Sequence, residues 1–408
     1  MTILPFTSDE PLRQRPRVYM IVYSRTCADL ICSLPVVSDF LVVGGGIAGA
    51  GVGYFLASAG TVTLLEAESV PGFHSTGRSA ALFSEYYGNA AVRALTAASR
   101  SFLERPPDGF ADHPILAPRG TVTLCQPGTE NLFDTALASG SNAPVPAREI
   151  APGEVHRRCP IVRPGAFSRA MLKPVTMDID VAALHQGFLR GLRAGGGRVV
   201  TRARVRKLTR RAGRWHLASD AGDFAAPVVV DAAGAWADEL AVLGGVRPVG
   251  LAPRRRTAFL VDLPDGLHGA GWPMVNDVAE TFYVKPESGG LLISPADSAP
   301  VPPGDPRPDD LDIALAAQRV EQVMTLALRH VRHAWAGLRS ATSDDTPVVG
   351  EAPGAPGFIW LAGLSGYGIQ TAPRLCRVAA ALAVAALRHQ PPAGLCAELA
   401  ELAPARLG

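Results

Sequence analysis

One short stretch constrains the fold more than any other. The run Asp39-Phe-Leu-Val-Val43 is apolar and β-branched, and it breaks into Gly44-Gly-Gly-Ile-Ala-Gly49 ahead of an alanine-rich segment reaching Ala59. Strand, tight turn and helix follow one another. A second β-type run, Thr61 to Leu65, ends at Glu66, so the unit predicts a βαβ crossover in a parallel sheet. Gly44 permits the turn, Gly46 lets a pyrophosphate approach the backbone, and Gly49 lets helix and strand pack closely. Ile47 and Ala48 open the helix, whose N-terminus offers N–H donors and positive potential. Glu66, about 20 residues on, suits the hydroxyls of an adenosine ribose. The pattern reads as a dinucleotide site, with a ligand-free structural turn as the alternative. It does not by itself separate NAD from FAD.

At 408 residues and 48% hydrophobic content, the chain can bury a sizeable core in two domains or one large one. Its net charge of +2 gives a polyphosphate no dominant electrostatic handle, which argues against nucleic acid as a partner. Six cysteines without a C-x-x-C pair exclude a zinc site read from spacing and suggest a reduced, cytoplasmic enzyme. Residues 1–38 carry Arg13, Arg15, Arg17 and Arg25 through their apolar stretches, so they read as a loose extension rather than a targeting signal. The apolar run Val378 to Leu387 falls far short of the about 20 residues that span a bilayer.

Later segments return to the style of the first unit: helical spacing from Asp180 to Arg193, and buried-type strands at Pro227 to Asp231 and Phe358 to Ala362. Between them lie Thr121 to Leu124, Thr257 to Val261, Thr281 to Val284 and Leu291 to Ser294, which predict a mainly antiparallel sheet. The expected class is therefore α/β, a Rossmann-type domain from 39–115, 175–243 and 334–408, with a discontinuous α+β substrate domain from 116–174 and 244–333.

The segment Pro71-Gly-Phe-His-Ser-Thr-Gly-Arg-Ser-Ala-Ala81 resembles the second FAD signature of the D-amino-acid oxidase (DAO) family. The resemblance continues in Ala232-Ala-Gly-Ala-Trp236, in Trp335-Ala-Gly-Leu-Arg339, in Asp344 to Gly350, and in Gly366-Tyr-Gly-Ile-Gln-Thr371. Runs such as Val92 to Arg100 and Leu184-His-Gln-Gly187 bring it nearest to the D-arginine-dehydrogenase-like members. It implies non-covalent FAD, with Ser75, Thr76, Arg78, Ser79 and Ala80 at the flavin and its phosphates. Val205 would meet the adenine, Gly234 the pyrophosphate, and Gly368, Ile369 and Gln370 the pyrimidine edge of the flavin.

The resemblance also implies an amino-acid substrate whose carboxylate is clamped by Arg256 and Arg339, aided by Tyr87 and Tyr283, with Ser84 and the Gly366 carbonyl near the amine. A bidentate guanidinium is suited to that task. A solvated basic turn is the structural alternative for Arg256. Two departures bear on specificity: Leu82 stands where such relatives carry a histidine, and Gly120 where they carry an acid for the substrate guanidinium. Together they predict an apolar or medium-sized D-amino acid rather than D-arginine. Glu85 reads as an exposed loop acid, with a substitute for that missing acid as the alternative. Leu292, at a position where sarcosine-oxidase-like members use a lysine, predicts a dehydrogenase with an unidentified electron acceptor rather than an oxidase. Oxidation of a secondary amine or a 2-hydroxy acid, and a non-catalytic flavin binder, are the alternatives. Monomer and homodimer both remain open.

Overall fold

The computed structural model describes residues 35–392 and 400–407, so the expected N-terminal extension lies outside the described residues up to position 34. From Pro35 onward the chain is part of one compact unit, and the short strand Val36–Val37 already pairs with Phe224 and Ala225.

The opening unit folds as its glycine spacing dictates. Phe40–Val43 is a fully buried strand, Ile47–Leu56 the helix, and Val62–Leu65 the second strand, parallel to the first. They sit in a six-stranded sheet whose order is Arg198–Val200, Val62–Leu65, Phe40–Val43, Val228–Asp231, Phe358–Ala362 and Val348–Glu351, with only the last pair antiparallel. Helices Ile47–Leu56, Val181–Ala194 and Gly368–Arg388 join this sheet in one apolar core that includes Phe40, Phe188, Ile359 and Leu375. Pro373 removes one N–H from the helix Gly368–Arg388. Ser99 of the neighbouring helix is tied to the same turn, accepting from the Arg374 N–H (3.1 Å) and donating to the Thr371 carbonyl (3.3 Å).

The second large sheet has eight strands, antiparallel except where Met274–Asp277 runs parallel to Thr121–Cys125. The strand His333–Ala341 is one of them: it pairs with Ala252–Asp262 along nine residues, so this part of the chain serves the substrate sheet rather than the dinucleotide half to which its position in sequence assigns it. Period-two alternation divides the sheet. Val122, Leu172, Phe259, Val275, Val284 and Ile293 point into a core covered by the helix Asp310–Val323, and the opposite face includes Arg256, Tyr283 and Arg339, which line the cavity beside the dinucleotide half. A smaller sheet of Leu82–Phe83, Met177–Ile179 and Leu116–Pro118 bridges the two. Because Phe259 is fully buried at the centre of the second core, Phe259→Ala should cost about 3–5 kcal/mol in denaturant unfolding; a loss below about 1 kcal/mol would contradict this packing.

Candidate active site

An elongated cavity runs between the two halves. At one end it is lined by Glu66, Arg204 and Val205, in the middle by Gly44, Gly46, Ile47, Ala48, Ser75, Thr76, Arg78, Ser79, Ala80 and Gly234, and at the other end by Arg256, Tyr283, Arg339, Gly366, Gly368 and Ile369.

The glycine turn is as tight as its spacing requires. Gly44 has φ +104°, and a Cβ on it would lie 2.3 Å from the Ala232 carbonyl oxygen; a Cβ on Gly49 would lie 1.8 Å from that of Gly44. Gly49 therefore shapes the wall without lining it. Glu66 accepts from the Gly45 N–H (2.7 Å) and the Glu68 N–H (2.8 Å), which fixes its carboxylate at the cavity end. No side chain caps Gly46 at the start of the Ile47–Leu56 helix, and the Thr76 hydroxyl accepts from the Ile47 N–H at 3.0 Å, drawing the 71–81 segment against the helix. That segment is tied to the second sheet as well: the Ser75 hydroxyl donates to the Leu338 carbonyl (2.7 Å), Arg78 to the Ala336 carbonyl (2.9 Å), and Trp335 to the Arg78 carbonyl (3.0 Å). His74 pairs with Glu68 at 3.0 Å and packs on Trp236. Two polar atoms bordering this stretch, His74 Nδ1 and Asp231 Oδ2, are buried without a hydrogen-bond partner, and burial pushes the Asp231 carboxyl well above its usual range. An elongated cavity with an acid at one end, free helix N–H groups in the middle and cations at the other suits a dinucleotide cofactor such as FAD.

At the far end, strand register decides the chemistry. Arg254 lies opposite Arg339 and Arg256 opposite Gly337, so Arg256 and Arg339 are diagonal neighbours on one face. Arg255 points the other way, where Asp297 (3.0 Å) and Asp312 hold it. Arg256 has no acid partner among the described residues, and its Nε is buried with no hydrogen bond. Burial and the neighbouring Arg339 lower its pKa, so the guanidinium is an unmet demand for an anion. Arg339 donates to the Tyr87 hydroxyl at 3.3 Å and meets no carboxylate among the described residues. Gly366 leaves it room, since a Cβ there would lie 2.9 Å from the guanidinium carbon.

The carriers of the remaining candidates are locked to one another. The Ser84 N–H donates to Gln370 Oε1 (3.0 Å), and Gln370 Nε2 donates to the Thr96 hydroxyl (2.9 Å). The Gln370 side chain is thus engaged in the wall, leaving its backbone for any cofactor contact. Glu85 is buried and takes two hydrogen bonds from Arg100, so the exposed-loop reading of this acid is corrected: it anchors the Leu82–Tyr87 segment to the helix Ala90–Glu104. Sequence reasoning passed over Tyr367, whose ring stands 4.9 Å from that of Tyr87, and Ser365, a non-glycine residue at φ +45° whose N–H reaches the Ser340 carbonyl (2.9 Å). Strain of this kind collects at functional loops, but no local signal marks it in the sequence. Lys285, cross-strand from Leu292, is committed to Asp178 (3.4 Å) and Glu287 (2.8 Å).

Comparison with known proteins gives related matches. Over 174 residues the chain is 32% identical to FAD-dependent oxidoreductase domain-containing protein 1 of Bos taurus, covering 38% of this chain and 35% of that protein. It is 24% identical to the mitochondrial dimethylglycine dehydrogenase of Mus musculus over 359 residues, 81% of this chain and 40% of the other. The chain thus spans about a third to two fifths of the length of these curated relatives. The crystal structure of glycine oxidase from Geobacillus kaustophilus superposes with a TM-score of 0.77 at 22% identity, covering 88% of this chain and 96% of that one. The cytoplasmic expectation is overturned, because the relative matching most of this chain is mitochondrial; unpaired cysteines report a reducing environment and cannot name the compartment.

The tightness of the glycine turn sets a test: Gly49→Ala should yield protein that purifies with little or no flavin, read from its absorbance, whereas full flavin content would contradict the contact with Gly44. The model of the family "FAD dependent oxidoreductase" (DAO) matches residues 39–382. With fold, cavity and family match in agreement, the chain belongs to the FAD dependent oxidoreductase (DAO) family, and its long cavity is the place of a non-covalently held FAD.

Proposed function

We propose that the protein oxidises the carbon–nitrogen bond of a small amino carboxylate. The observation that carries this reading is the pair Arg256 and Arg339, two cations on one face of the cavity without an acid partner among the described residues. Arg339, with the Tyr87 hydroxyl beside it and Tyr283 in the same wall, holds the carboxylate and so fixes the neighbouring carbon. The Gly366 carbonyl and Ser84 are assigned to the amine by the family resemblance, and Gly366 lines the cavity beside Arg339. FAD, held by Gly44, Gly46, Ser75, Thr76, Arg78 and Gly234, would supply the two-electron oxidant for that carbon, and hydrolysis of the resulting imine would give a carbonyl compound and a free amine. The chain's own share is binding, orientation and exclusion of water.

Within this class the sequence points to a D-amino acid, while the similar proteins act, by their names, on glycine and dimethylglycine. The latter favour glycine or an N-substituted glycine. The D-arginine-dehydrogenase-like assignment finds no support among the relatives described above. A dehydrogenase is favoured over an oxidase, because Leu292 offers no cation and Lys285 beside it is held in ion pairs.

Acid precipitation should leave the yellow colour in the supernatant, and a yellow pellet would contradict non-covalent attachment. Arg339→Met should lower kcat/KM by about 2–5 kcal/mol in activation free energy, as expected when a desolvated charged hydrogen bond is broken. Arg339→Lys should recover only part of this, because the planar fork is lost. Kinetics equal to those of the parent in Arg339→Met would refute the carboxylate assignment.

A further inference from the structure

The helix Val181–Ala194 turns Leu184, Phe188, Leu189 and Leu192 into the core, and His185 lies buried among them at 4% exposure. A polar ring in that position costs stability unless it is hydrogen-bonded. Packing against the neighbouring helix Ile47–Leu56 supplies the partner. Gly51 and Gly53 of that helix admit Phe188 and Leu192 closely: a Cβ on Gly51 would lie 3.4 Å from the Phe188 ring, and one on Gly53 3.1 Å from Leu192. One turn before Phe188, His185 reaches the glycine turn itself, where Nε2 donates to the Gly45 carbonyl at 2.9 Å. A carbonyl only accepts, so the proton sits on Nε2. Burial pulls the imidazole below its ordinary range, which keeps the ring neutral in this tautomer.

We propose that His185 is a positioning residue for FAD, acting through the Gly45 carbonyl to aim the Gly46 N–H at the pyrophosphate, a role that holds whatever the substrate. The Gly45 carbonyl and the Gly46 N–H belong to one planar trans peptide and point in opposite directions. With the carbonyl drawn to His185, the N–H is turned to the other side of the peptide, and Gly46 lines the cavity.

The neighbouring donors of the turn are engaged: the Gly44 N–H with the Leu65 carbonyl (2.8 Å), that of Gly45 with Glu66 (2.7 Å) and that of Ile47 with Thr76 (3.0 Å). The Gly46 N–H has no hydrogen-bond partner among the described residues. A free donor at the start of a helix is suited to a phosphate oxygen. The same imidazole abuts the 71–81 segment, because Gly72 stands at φ +81° and a Cβ on it would lie 2.8 Å from His185 Cε1. One ring thus touches both the glycine turn and the segment that carries Ser75 and Thr76.

The test starts from the FAD-loaded protein. Flavin fluorescence that returns on dilution gives the dissociation constant for FAD, and displacement by ADP and by adenosine gives theirs. ADP carries the pyrophosphate and adenosine does not, so their ratio reports the donors of the turn and is blind to a general loosening of the fold. His185→Gln places an amide N–H where Nε2 stands and should keep both the affinity for FAD and the preference for ADP. His185→Asn is one methylene too short, and His185→Met fills the space without a donor. Each should weaken FAD by about tenfold or more, the scale of a hydrogen bond to a charged group, and remove most of the ADP preference. Thermal melting establishes that each variant folds. Unchanged FAD affinity in a folded His185→Asn or His185→Met would overturn the proposal, as would an equal loss of ADP and adenosine binding. A folded His185→Gln that loses FAD, or a parent protein that binds ADP no more tightly than adenosine, would overturn it too.

Discussion

The register between Ala252–Asp262 and His333–Ala341 is the constraint on which the site depends. It sends Arg255 to the acids beneath the sheet and leaves Arg256 and Arg339 together on the cavity face. At the spacing of diagonal neighbours, roughly 8 Å, two like charges repel by about 2 kcal/mol at an effective dielectric constant of 20. A fold keeps such an arrangement when something else requires it, and a bound anion turns the repulsion into affinity. A slip of one residue would exchange Arg255 for Arg256 and bury the wrong cation.

The rest of the architecture holds that face still. The segment carrying Ser84 and Tyr87 is tied to helix Ala90–Glu104 through Glu85 and Arg100, and to helix Gly368–Arg388 through Gln370. The loop before that second helix is pinned at Ser365 to the strand that bears Arg339. Arg339, Tyr87 and Gly366 come from three distant parts of the chain, yet each is fixed by contacts to the other two or to their immediate neighbours. Side chains held in this way lose little freedom on binding, which leaves more of the interaction energy for orientation.

Local patterns were legible in the sequence; non-local ones were not. Glycine spacing located the βαβ unit, and Phe358–Ala362 appeared as a strand from its own composition, because turn chemistry and β-propensity act over a few residues. The antiparallel character of the second sheet was equally visible in its short alternating runs. By contrast, the side to which each residue of Arg254-Arg-Arg-Thr257 points depends on pairing with a strand some eighty residues later. For the same reason neither the sheet to which His333–Ala341 belongs nor the burial of Glu85 can be read from the residues around them. The side-chain commitment of Gln370 became visible only when Ser84 and Thr96 were brought beside it.

The central claim is that a carboxylate held at Arg339 selects what is oxidised. It is tested most directly by mixing the FAD-loaded protein, without oxygen, with amino acids and with the corresponding amines that lack the carboxylate, while following the flavin colour. The account predicts bleaching by at least one amino carboxylate and none by its decarboxylated counterpart. Equal bleaching by both would contradict it.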